Sequence, residues 1–176
     1  MAQSANNTHT TVPSWGLAGI RETAGVNNLV LSYKAAAATH YYARDMVTVG
    51  TTAGTISKCT GKASIFDGVV IQEVNNTLGA AGDRLVPVGV KGVFELNGFV
   101  EATGETEDDT ITYNDLVYLS ADSAGVGAGQ KVTALNSSSV MVGRSFDYVI
   151  VDGGTSGSDQ NVILRTYINA LEKSFS

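Results

Sequence analysis

Two histidines and a single cysteine are the side chains of this 176-residue chain best suited to metal or nucleophilic chemistry, and their spacing keeps them apart. His9 stands in a polar N-terminal stretch and His40 beside Tyr41 and Tyr42; neither has a carboxylate, a cysteine or a second histidine at ligand spacing. A zinc site needs three or four such groups converging. Cys59, in Lys58-Cys59-Thr60, has no histidine near it in sequence to take its proton, so it reads as a buried structural thiol. The run GVGAGQKVT from Gly125 to Thr133 has the glycines of a phosphate loop without its spacing. A Walker A motif requires Gly-Lys-Ser/Thr, whereas here Gln130 separates Gly129 from Lys131 and Val132 follows the lysine. A hairpin-like loop is expected instead. Glu101, Glu105, Glu107, Asp108 and Asp109 offer the hard oxygen ligands that calcium prefers, but lack the alternating ladder and closing glutamate of an EF-hand. A solvated loop is expected there. These residues predict no catalytic centre, no metal site and no cofactor.

Composition points the same way. The net charge is −6 with 11 basic residues scattered along the chain, and phosphate binding needs lysine and arginine clustered, so no nucleic-acid partner is expected. The start of the chain lacks a basic segment followed by an apolar one, which places synthesis in a cytoplasm, and no apolar run approaches the ~20 residues that span a bilayer, so no membrane partner is expected. Charged residues make up only 16% of the chain, which is sparse for a lone monomer and predicts that a partner covers part of the surface.

The elements that would carry these side chains are strands. From Gly82 to Leu96, GDRLVPVGVKGVFEL, side chains sort by parity: Val86, Val88, Val90, Phe94 and Leu96 on one face, Pro87, Gly89, Lys91 and Glu95 on the other. A helix there would carry a proline and two further glycines at a cost of about 3 and about 1 kcal/mol each. Shorter β-branched runs follow the same logic at Leu29 to Tyr33, Met46 to Val49, Thr55 to Thr60, Gly68 to Val74, Leu116 to Ser120, Lys131 to Leu135, Val140 to Phe146, Tyr148 to Val151 and Asn161 to Ile168. Turn-forming stretches separate them, no interval holds a 3.6-residue stripe, and the fold class expected is all-β, a compact β-barrel or β-tulip-like sandwich. Residues 34 to 43 read as one helical turn or a connector.

Residues 1–27 differ from the rest: polar Asn, Thr and Ser with one apolar cluster at Trp15, Leu17 and Ile20. Such a segment cannot build its own core, so an extended N-terminal arm is expected ahead of a β-rich domain over 28–176. Trp15, Leu17 and Ile20 are the candidate partner-binding residues, since the only tryptophan of the chain is costly to leave in water.

The strand motifs carry a resemblance. GDRLVPVGVKGVFEL, then DLVYLSADSAGVGAGQKVT, VMVGRSF and NVILRTYI resemble the small capsid decoration (cement) proteins of tailed bacteriophages. Gly92, Val93, Phe94 and Leu96 match that family's first element, Asp115, Val117 and Tyr118 its second, and Val142 with Gly143 its third. The opening strands around Asp45-Met46-Val47 and Asp67-Gly68-Val69-Val70 are similar too, so the likeness covers about residues 43–168. The second element departs from the pattern, with Asn114 before Asp115, and the arm is longer than a minimal member needs. The resemblance implies a homotrimer on the outer surface of an icosahedral viral head, with the major capsid protein and further copies of itself as partners. The alternative is another virion surface or tail module that binds a host glycan or receptor, for which Tyr41, Tyr42 and Tyr113 are the exposed-aromatic candidates.

Overall fold

The structure, a computed structural model, describes residues 28–50, 54–100, 111, 113–120, 129–134, 139–150 and 160–171, except for the side chains of 99, 100, 147–150, 160 and 161. The candidate arm residues Trp15, Leu17 and Ile20, the acidic stretch and the glycines at 125 and 127 lie outside the described residues. Among the described residues every regular element is a strand: β1 (Leu29–Ala35), β2 (Thr39–Tyr41), β3 (Met46–Val49), β4 (Thr55–Lys58), β5 (Gly68–Val70), β6 (Val74–Asn76), β7 (Leu85–Val100), β8 (Leu116–Leu119), β9 (Val132–Thr133), β10 (Met141–Ile150) and β11 (Gln160–Asn169). The all-β expectation holds.

Nine of these strands form one mixed sheet that partly closes into a ring, while β2 and β6 pair as a separate antiparallel ribbon. The pairings trace two circuits. β7, β1, β4, β3 and β5 make the first, closed by the parallel register Lys34↔Thr55 and Ala35↔Ile56 between β1 and β4. β7, β11, β10, β8 and β9 make the second, closed where Gly98 of β7 meets Val132 of β9. Partial closure of this kind gives each of the nine strands a neighbour on both sides for at least part of its length, which shortens the exposed sheet edges.

The 16-residue β7 belongs to both circuits, and its alternation explains how. Val86 and Val88 lie opposite Tyr33 and Leu31 of β1, and together with Val90 they fill a core with Ala35, Tyr41, Val47, Ile56 and Val70. Phe94 and Leu96 lie opposite Thr166 and Leu164 of β11 and enter a second, larger core with Val117, Leu119, Val132, Val142 and Ile168. The parity read from sequence therefore predicts burial correctly but assigns one face where there are two. The reason is a bulge against β1. Register shifts between Leu29↔Lys91 and Val30↔Gly89, which leaves Val90 as an extra residue, and one extra residue moves every later side chain to the other face. Gly92 follows at φ +128°, a conformation that side-chain-bearing residues avoid.

Pro87 sits in this strand without cost. Ala35 N–H donates to Arg84 O (2.9 Å), so even-numbered residues here bond toward β1, and the missing N–H of Pro87 faces the other side. There β5 ends at Val70↔Val88, and only the Pro87 carbonyl is engaged, accepting from Ile71 N–H at 3.1 Å.

Several boundaries differ from expectation. Residues 34–43 contain no helix; the alanines lead into β2 through Ala38 at φ 52°. The run Gly68 to Val74 divides into β5 and the first residue of β6. The two runs at 140–146 and 148–151 join into one bulged strand, β10, whose register shifts between Ser145 and Asp147.

Candidate functional site

Cys59 follows β4 and is 2% exposed, its Sγ 3.7 Å from the Ile65 carbonyl. Burial, with the nearby charge of Asp67 adding to it, pushes the thiol up to about 12, so it stays protonated and is a poor nucleophile. The stretch that imitates a phosphate loop ends in a structural bolt. Gln130 is buried, its Oε1 accepts from Met46 N–H (2.8 Å), and its Nε2 donates to the carbonyls of Met46 (2.9 Å) and Cys59 (2.7 Å). The residue that breaks the Walker spacing thus ties the second circuit to the first. Nothing in the sequence signals this, because a glutamine between glycine and lysine reads as a solvated loop residue.

His40 finds a partner 33 positions away, and its Nε2 lies 2.7 Å from Glu73 Oε1. Its ring stacks on Tyr42, with centroids 4.2 Å apart and planes at 24°. Lys58 Nζ lies 4.9 Å from the Tyr42 ring centre and 2.6 Å from Asp45 Oδ2, which also accepts from Tyr42 N–H at 2.8 Å. The β2–β6 ribbon brings His40 to Glu73, since His40 pairs with Asn75 across it. Glu73, His40, Tyr42, Lys58 and Asp45 form a polar chain whose members satisfy one another. Such an arrangement pins the ribbon to the body; surface pairs of this type contribute at most about 1 kcal/mol each.

Of the three candidate tyrosines, Tyr42 and Tyr113 are exposed and Tyr41 is not. Tyr41 is wholly buried, donating to the Ile56 carbonyl (2.6 Å) and accepting from Ala36 N–H (2.9 Å), and burial raises its phenol above the ordinary value. Tyr42 is engaged by His40 and Lys58 as described. Tyr113 is exposed, with the edge of its ring against Phe146 at 5.9 Å.

What the surface does present is separate apolar side chains on stiff backbone: Leu78, Leu85, Ile65, Met141 and Leu171 are each more than half exposed. Leu78 and Leu85 border two adjoining grooves of about 610 and 420 Å³ that share Asn75 and Arg84. This corner, between β6 and the start of β7, is a shallow concavity that carries unburied apolar side chains. No protein-family model and no curated protein matches this chain.

Proposed function

We propose that this protein is a capsid decoration (cement) protein, binding the outer surface of an icosahedral viral head as a homotrimer and stabilising the junctions between capsomers. The observation that carries the proposal is where the family-like motifs fall. Gly92 to Leu96 lie on β7, Asp115 to Tyr118 at and on β8, and Val142 with Gly143 on β10, all members of the second circuit. Their side chains are packing residues: Phe94, Leu96, Val117 and Val142 are buried, and a Cβ on Gly143 would run into the Tyr167 carbonyl. The motifs are therefore the specification of a fold. A likeness in them is a likeness in architecture.

The role asks for a stiff body that offers many modest contacts, multiplied over repeated sites. Strand circuits that share β7 and scattered exposed leucines support it. Trp15, Leu17 and Ile20 are proposed as the contacts of the arm with the capsid or a neighbouring copy, since the arm has too little apolar surface to fold alone and gains its ordering energy from a partner.

Co-sedimentation of the purified full chain with undecorated heads of the virus that encodes it tests the proposal. Saturable binding to intact shells, with raised resistance of those shells to heat, is expected. Binding only to tails, or none, would contradict it.

A further inference from the structure

Among the described residues, β1 has a strand neighbour along its whole length on one side only. Ala35 N–H bonds toward β7, so the even-numbered residues of β1 turn their backbone groups the other way, and there Lys34 N–H donates to Gly54 O at 2.8 Å. β4 covers that side only at Lys34 and Ala35. Its hairpin with β3 turns between Gly50 and Thr55, where Gly50 N–H donates to Thr55 O at 2.8 Å, so neither strand runs further along β1. Past the hairpin tip, the N–H and C=O of Val30 and of Ser32 meet no described strand. Leu29 to Tyr33, LVLSY, holds no charge and no proline, the usual guards of an open edge. Such an edge is a template for one more strand.

We propose that this edge takes residues 15–18 of the N-terminal arm of a neighbouring copy, added as an antiparallel strand. The arm suits the edge in charge, because no Asp, Glu, Lys or Arg precedes Arg21. It also suits it in alternation. With Leu17 opposite Leu31, Trp15 falls opposite Tyr33, on the side of β1 that packs against the first core. Gly16 and Ala18 then fall opposite Ser32 and Val30 and bring N–H and C=O groups to the four open ones. Pro13 comes opposite Ala35, where β4 already holds the edge and no donor is needed. The chain's own arm fits less well. It enters at Asn28, the end of this same edge, and a hairpin loop of about two to five residues there would set Glu22 against one of Val30 to Tyr33 and leave Trp15 and Leu17 past the edge. An arm from another copy escapes that register, and the eight steps from Ile20 to Asn28 give it about 27 Å of reach across a subunit junction. The inference rests on the homotrimer proposed above, in which each copy gives one arm and takes one, a head-to-tail ring that closes at three.

Disulfide trapping of the full chain in a Cys59→Ala background tests it. Facing residues of an antiparallel pair that exchange backbone bonds have Cα atoms about 5.5 Å apart, within disulfide range, so Gly16→Cys and Ser32→Cys are placed on separate chains, co-expressed and oxidised. The mixture is expected to give a two-chain product that neither variant gives alone, and a chain carrying both substitutions is expected to give a three-chain product. Ser32→Pro removes one outward N–H that the β7 ladder does not use, and is expected to weaken the trimer at least tenfold by sedimentation velocity. The trapping result stands whether or not that variant folds. A link confined to one chain, no link at all, or a folded Ser32→Pro trimer as stable as the wild type would each overturn the proposal. Shell binding is read separately: a protein that decorates heads without the link between chains would remove the arm exchange and leave the cementing role in place.

Discussion

Cys59 holds its proton more tightly folded than unfolded, and that difference has a sign. The thiol's ordinary value is near 9 and the folded one about 12, so between those pH values the native state binds more protons than the unfolded state. Stability is therefore full below about pH 9 and falls as pH rises toward 12, by roughly 1.4 kcal/mol per unit. The melting temperature of the wild type is expected to drop more steeply above pH 9 than that of Cys59→Ala; parallel slopes would remove the thiol from the explanation. Thiol reagents are expected to leave Cys59 unmodified until the chain unfolds. Gln130 makes a second prediction at this scale. Gln130→Leu keeps the volume but leaves Met46 N–H and the Cys59 carbonyl without their side-chain partner, a loss of about 2–5 kcal/mol by urea denaturation. A loss below about 1 kcal/mol would mean that the bolt is dispensable.

β7 shows which parts of an element are written in its residues and which are not. Alternation over Val86, Val88, Val90, Phe94 and Leu96 identifies a strand and the side chains it buries, because period-2 burial is a property of the local chain. The assignment of those side chains to two cores depends on Val90 lacking a partner on β1, and that depends on a strand 60 positions away. The same limit explains β5 and β6, read as one run because nothing local marks the chain's departure from β7 after Ile71. It also explains β2: four alanines favour a helical turn, and the tertiary pairing of His40 with Asn75 overrides them. The polar chain around Tyr42 was out of reach for the same reason, since its members come from β2, the turn before β3, β4 and the approach to β6. At the scale of the strand, Phe94→Ala is expected to cost about 3–5 kcal/mol as a cavity in the larger core. Gly92→Ala is expected to cost about 1–3 kcal/mol, through φ +128° and crowding against Asn28. Chemical denaturation measures both; a neutral Gly92→Ala would show that the strand can reverse faces without glycine.

For the molecule as a whole, the described residues make two circuits that share one strand. Removing residues 1–27 is expected to leave the melting temperature of the body nearly unchanged and to weaken binding to shells; equal shell occupancy with and without them would remove Trp15, Leu17 and Ile20 from the contact. Cryo-microscopy of virus particles that carry the protein is the most direct test of the cementing role. Density for the double-circuit body repeated in register over the capsomer junctions of the head is the predicted result, and density confined to the tail or a single vertex, or missing from the particle, would contradict it.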